Sequence, residues 1–407
     1  MAGVRVLSYG LLGLPLAFAA LPIYVHVPRY YAQTTGMELA LLGVILLGAR
    51  LLDALIDPWL GSVADRVSCR RMVAVALLPF ALGFVALLNP PQRLVAPWLL
   101  AALALTYLGF SAASIAYQAW GAEVGRDSAL RTRLTAAREG FGLLGVVLAA
   151  ALPGVLASDL DVGTARLSWI LPPLLLIAAA VTFSRVGAGQ APTVTGAPPG
   201  NSLRRVLGDV AFRRLLGVFI ANGIAAALPA TLFLFFVADV LGADAASGPL
   251  LALYFVAGAA SMPLWVRLAG RWGRVRAWGA AMGLTMFAFA GAGLLGNGDV
   301  AGFALICLAS GLALGADLAL PAAIAADLGE RRGQVGACFG VWNFVAKLNL
   351  ALAAGLALPL LDLLGYRPGG ADGLGALIFA YALLPLGFKL LAALLLWRWR
   401  DSLEIRS

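Results

Sequence analysis

The chain reads as an all-α membrane protein of twelve spanning helices in two pseudo-symmetric six-helix bundles. Three observations predict this: an extreme apolar composition, a one-sided distribution of basic residues, and a single long polar break near the middle. Of 407 residues, 62% are hydrophobic and only 12% charged, against roughly 45–50% and 25% in soluble domains. Such a chain needs the bilayer as its main solvent. Apolar runs of about 20 residues, the length that crosses a hydrocarbon core, lie over 4–26, 37–64, 72–89, 95–120, 134–157, 166–184, 212–238, 247–268, 275–295, 300–325, 334–363 and 374–397.

The first run carries Arg5 at its start but is too long for a signal-peptide core, and no small-residue cleavage site leads into a soluble domain, so it is expected to remain as the first span. Cys69, Cys307 and Cys338 show no paired spacing, which suggests neither a disulfide framework nor a zinc site. The net charge of +9 reports orientation. Of the 29 Lys and Arg residues, 21 fall in loops on one side, four (Arg29, Arg93, Arg166 and Arg367) on the other, and Arg50, Arg138, Lys347 and Lys389 lie within spans. The positive-inside rule then places both termini in the cytoplasm of a bacterial-type inner membrane, and nucleic acid is not an expected partner.

Residues 185–211 form the long polar break. A Pro, Gly and Thr-rich stretch from Gly187 to Asn201, followed by Arg204 and Arg205, reads as a cytoplasmic linker between an N-terminal bundle, 1–184, and a C-terminal bundle, 212–407. A repeat with an offset of 205 residues supports two halves: Pro58 falls on Pro263, Ala64 on Ala269, Arg66 on Arg271 and Arg71 on Arg276. Paired six-helix halves of this kind characterise a transporter architecture with substrate held near the midplane.

After the second span, the loop carries Gly61, Asp65, Arg66, Arg70 and Arg71. Glycine followed by Asp-Arg and a basic pair resembles the signature loop of the major facilitator superfamily, with Ser68 where that motif has a second Gly. Gly61 would admit a close helix neighbour, and Asp65 would cap or pair across a gate. The alternative is a solvated turn with orienting charges.

Ionisable side chains inside spans cost about 2.5–3.5 kcal/mol at a helix centre and are functional candidates by default. In the second span, Arg50, Asp53 and Asp57 are spaced i, i+3 and i+7, on one face. Two ionised acids one turn apart in low dielectric need a proton, a cation or a basic side chain between them. That describes a proton or Na⁺ site, with a static Arg50–Asp53 pair as the structural alternative. In the eleventh span, Trp342, Asn343 and Lys347 stand together, and Lys347 is one of only two lysines. It is either a charge partner for the acids or a side chain snorkelling to the interface. Arg138 and Glu139 form a local pair or face a cavity; Asp317 is functional or satisfies an opened backbone near Gly311, Gly315 and Pro321; His26 reads as interfacial.

These residues look like the glycoside-pentoside-hexuronide:cation symporter family, typified by melibiose permease. Leu7-Ser-Tyr-Gly10, Ala49-Arg50-Leu-Leu-Asp53-Ala-Leu-Ile-Asp57-Pro58, Ala326-Asp327 and Lys347 match that family's pattern. The resemblance implies a major facilitator fold and a cation-coupled symporter of a small organic solute, sugar-like or glycoside-like. Asp53 and Asp57 would be the cation carboxylates, and the metal ligands if Na⁺ is the ion. Lys347 and Arg50 would be their charge partners. Trp120 and Arg138 would contact substrate, with Tyr117, Trp342 and Asn343 as further lining residues.

No cofactor beyond H⁺ or Na⁺ is implied, and one chain supplies both halves, so a monomer in the lipid bilayer is expected. Ala17 and Ala116 stand where sugar-binding members carry carboxylates, which argues against an ordinary galactoside. Ile56 and Ala113 replace an Asn and a Thr near the Na⁺ site, which favours protons. The apolar lining left by these changes also suits an amphiphile such as a lysophospholipid. A membrane-embedded enzyme acting on lipid-linked intermediates would need long soluble loops that the sequence lacks.

Overall fold

The computed structural model describes residues 2–157, 160–189, 199–367, 369 and 373–404. Part of the expected linker, 190–198, and Arg406 among the basic residues used for orientation lie outside the described residues. Every element among the described residues is helical: α1 Ala2–Gly10, α2 Gly13–Leu21, α3 Val27–Thr34, α4 Leu39–Ala64, α5 Cys69–Leu87, α6 Val95–Val124, α7 Ser128–Leu156, α8 Leu160–Arg185, α9 Pro199–Gly208, α10 Val210–Phe235, α11 Ser247–Trp272, α12 Arg274–Ala292, α13 Val300–Arg332, α14 Val335–Leu363, α15 Leu374–Ile378, α16 Leu384–Arg398 and α17 Arg400–Leu403. A helix stands at each of the twelve expected positions. Ten helical stretches among the described residues are long and apolar enough to cross a membrane. The other two positions are α4, which carries Arg50, Asp53 and Asp57, and α12, diluted by Arg276 and several glycines.

The first expected span, 4–26, is divided. α1 ends at Gly10, α2 restarts at Gly13, and a wide π-type turn over Pro22–His26 leads into α3. Pro15 and Pro22 supply no backbone N–H to an earlier turn, which explains why one continuous helix does not form. Similar wide turns occur at Phe236–Val240 and Phe379–Leu383. The described second part of the linker is the helix α9 rather than coil: Leu203, Val206 and Leu207 recur at helical spacing, and Val206 is buried.

Caps fix the helix starts. The Asp127 side chain accepts from Leu130 N at 2.7 Å before α7, and Asp209 accepts from Ala211 N at 2.8 Å before α10. Gly273, at φ 86°, turns the chain between α11 and α12, a left-handed region that other residues rarely enter.

The chain divides into two compact units, one of residues 1–206 with 326–344, the other of 207–325 with 345–407. In the first, glycines set the helix spacing. A Cβ on Gly13 would lie 2.5 Å from the Arg138 carbonyl, and one on Gly145 2.2 Å from that of Leu14, so α2 and α7 touch backbone to backbone. The second unit is centred on aromatic stacking: Phe236 lies over Tyr381 with ring centroids 4.1 Å apart, and Phe303 packs against both. Outward-facing positions such as Val44, Leu52, Val75, Leu176 and Phe287 are exposed and apolar, as lipid contact requires.

Candidate functional site

Asp53 and Asp57 both turn into the protein. Asp53 is 6% exposed and Asp57 0%, one helical turn apart on α4, while Arg50 on the preceding turn is exposed and lies within reach of the Tyr107 hydroxyl. On α6, the Ser111 hydroxyl donates to Asp53 Oδ1 at 2.6 Å. Pro58 follows Asp57 inside α4 and removes the N–H that would bond the Ala54 carbonyl, loosening the backbone beside the acids. Ser111 is absent from the sequence-derived set. Its position on the α6 face nearest α4, in a run of small residues from Ser111 to Ser114, is the signal that marks it.

Two turns further along α4, the predicted loop makes a defined contact. A Cβ on Gly61 would fall 2.3 Å from the Gly336 carbonyl, and one on Gly340 2.5 Å from that of Asp57, so α4 and the start of α14 meet through glycines. Asp65 ends α4 and caps α14: its Oδ1 accepts from Gly336 N at 2.6 Å and its Oδ2 from Ala337 N at 3.0 Å. Of the arginines, Arg70 reaches α8 instead, donating to the Phe183 carbonyl at 2.8 Å and lying over its ring, while Arg66 and Arg71 are exposed. Gly61→Val is expected to cost about 1–3 kcal/mol through overpacking of this crossing. A lowered Tm of the purified protein would show it.

Burial pushes the Asp65 carboxyl from 3.8 up to about 6, against the opposing pull of the two amide donors and Arg66. A native acid that keeps its proton longer than in the unfolded chain adds stability that is complete below pH 3.8 and lost as pH rises through about 6. The wild-type Tm should therefore fall between pH 4 and pH 7 by more than that of Asp65→Asn. Parallel Tm curves for the two proteins would contradict the assignment.

Beside this contact sits a charge cluster absent from the sequence-derived set. Arg131 pairs through Nη1 with Asp327 Oδ1 at 2.9 Å and through Nη2 with Glu330 Oε1 at 3.6 Å, and Ser128 donates to the other Asp327 oxygen. Asp327 is 1% exposed. The cluster ties the start of α7 to the end of α13.

The expected substrate residues fall into two groups. Tyr117 and Tyr9 exchange hydroxyl-to-carbonyl hydrogen bonds, with Tyr9 donating to the Tyr117 carbonyl at 2.7 Å. Arg138 pairs with Glu139 and lies near both tyrosines, so it is at once a local ion pair and part of this cluster. Gln118 donates to Asn343 at 3.1 Å, with buried Trp342 adjacent. Trp120 is fully enclosed: it stacks on Phe183 and its indole donates to the Gly187 carbonyl at 2.8 Å.

In the second unit, Asp317 of α13 does more than satisfy backbone. Its carboxylate pairs with Lys389 of α16 and accepts from Trp278 Nε1 of α12 at 2.8 Å. Lys347, partly buried on α14, also belongs to this unit.

The profile of the family described as MFS/sugar transport protein matches residues 6–400. Among curated proteins no sequence matches. Among solved structures, a bacterial homologue of the iron transporter ferroportin in an outward-facing state has a TM-score of 0.74 at 15% identity, covering 97% of this chain and 99% of the other. The E. coli fucose:proton symporter has a TM-score of 0.72 at 15% identity, covering 98% of each. At such identity these likenesses speak for the fold, which is that of major facilitator transporters. A family match over almost the whole chain, with the apolar helices described above, makes this a multi-pass membrane transporter rather than an enzyme: the chain belongs to the MFS/sugar transport protein family.

Proposed function

We propose that the protein is a proton-coupled symporter of a sugar or glycoside-like solute, working by alternating exposure of its site to the two sides of the membrane. The observation that carries this reading is the pair of buried acids on α4, Asp53 and Asp57, with the Ser111 hydroxyl on one oxygen of Asp53. In this reading the proton is gained and lost at these buried carboxyls. Na⁺ would need several oxygen ligands, and Ile56 and Ala113 offer none through their side chains. Arg50, one turn before Asp53 on α4, acts as a charge partner of the acids during the cycle.

Arg138, Glu139, Tyr117, Gln118 and Asn343 supply the charged, aromatic and amide groups suited to hydroxyl-rich solutes, and Trp120 backs Tyr9. The gate is the Gly61–Asp65 contact with α14. The fucose:proton symporter shares the fold and adds weight to a sugar substrate and proton coupling. The basic loops and both termini face the cytoplasm in this reading.

Reconstitution in liposomes tests it. With a panel of sugars, glycosides, organic acids and lysolipids, an inward proton gradient should drive accumulation of a sugar-like member, abolished by a protonophore. Accumulation that follows only a Na⁺ gradient would replace the proton with Na⁺. Selective movement of a lysolipid would replace the substrate class.

A further inference from the structure

Beyond α8, residues 186–189 at the start of the linker lie against the last turns of α6. Val186 is buried, and the Gly187 carbonyl accepts from Trp120 Nε1 at 2.8 Å. One turn along α6, on the same face, Glu123 meets this segment too: Gly189, at φ 81°, brings its backbone so close that a Cβ there would fall 2.5 Å from Glu123 Oε2. Cys69 at the start of α5 donates to the other Glu123 oxygen at 3.1 Å, holding the carboxylate in place. The Trp120 ring also stacks on Phe183 in the last turn of α8, with centroids 5.5 Å apart, and Phe183 is itself held by Arg70. The linker start and α8 together fix the indole. It meets Tyr9 of α1 edge-on, with centroids 6.3 Å apart and planes at 72°. Tyr9 is buried, donates to the Tyr117 carbonyl at 2.7 Å and packs its ring 4.6 Å from that of Tyr117. Its hydroxyl fits only because residue 121 is glycine: a Cβ there would lie 2.1 Å from it.

We propose that Trp120 is a positioning residue: docked by the linker start, it holds the Tyr9 ring and, through Tyr9, the Tyr117 and Arg138 groups of the solute site. This role rests on the reading of Tyr117 and Arg138 as solute-binding groups. Direct stacking of the indole on a sugar, which the family resemblance implies, conflicts with its enclosure: the ring packs on Phe183 and Tyr9, and its single N–H is given to a backbone carbonyl. What the indole can pass on is position. Tyr9 exchanges two hydrogen bonds with Tyr117, and Arg138 lies near both, so an indole that shifts opens space beside the ring on which those bonds depend.

The test uses the full chain with two variants. Trp120→Phe keeps an apolar ring but gives up the N–H; Gly189→Val touches none of the solute groups and strains the docked backbone at its positive φ. Hydrogen exchange in detergent, without any solute, is read at residues 186–189 and at the α1–α2 break beside Tyr9. Both variants should raise exchange about fivefold at both places, the factor that one lost hydrogen bond gives, with the second unit unchanged. In liposomes, both should raise the KM of the transported solute and retain its maximal rate. Unchanged exchange at 186–189 overturns the docking. Faster exchange there with an unmoved α1–α2 break, or with an unchanged KM in both variants, overturns the positioning role and leaves a structural tie. So does a KM raised by Trp120→Phe alone while Gly189→Val loosens the linker, because the indole would then be touching solute itself. The exchange readings involve no solute, so a cargo that is not sugar-like overturns the reading of function without deciding this one.

Discussion

Lys389→Met is expected to lower the stability of the protein by about 3–5 kcal/mol, the range for removing one partner of a buried ion pair. The side chains of Lys389 and Asp317 are 4% and 9% exposed, so the carboxylate left behind has little water to turn to. Trp278 Nε1 bonds one of its oxygens, and the other loses its cation. Removing both charges should be milder than removing one, because the desolvation cost disappears with the second charge. Lys389→Met combined with Asp317→Leu should therefore recover most of the lost stability. The check is a double-mutant cycle on Tm and on resistance to denaturant. A double variant no better than Lys389→Met would mean that the lysine acts by packing rather than by charge.

That pair also marks the boundary of what the sequence discloses. Spanning helices are legible because hydrocarbon forces every backbone group into internal bonding, so an apolar run of sufficient length has few other structures open to it. The breaks at Gly10–Gly13 and at the wide turns are harder, since proline weakens a helix without saying whether neighbouring packing will restore it. In the candidate site, the α4 acids stand out because charge in an apolar run is conspicuous. Their hydroxyl neighbour Ser111 does not, being one small residue among several on α6. Lys389 was visible as one of two lysines, but only the packing of α13 against α16 reveals that Asp317 is its partner. Likewise, Asp65 was legible as a capping residue, while the identity of the helix it caps, α14, depends on a contact across some 270 residues of chain.

Asp53→Asn is expected to abolish gradient-driven accumulation, bringing the ratio of internal to external substrate to unity, while exchange of substrate across the membrane persists. An amide matches a protonated carboxyl in shape and can still accept the Ser111 hydrogen bond, so the α4–α6 contact survives. What it cannot do is release a proton. A carrier held permanently in the loaded form still alternates with substrate bound, which sustains exchange, but its empty return carries no proton debt and the gradient has nothing to act on.

Ser111→Ala makes a sharper comparison, because it leaves the acid and deletes only its donor. Accumulation should continue, because the carboxyl that carries the proton is still present and only a hydroxyl beside it is gone. Liposome uptake under an imposed proton gradient, paired with exchange at equal concentrations inside and out, separates the two variants. If Asp53→Asn still concentrates substrate, coupling does not run through this carboxyl. If it loses exchange as well, its role is to shape the binding site rather than to carry the proton.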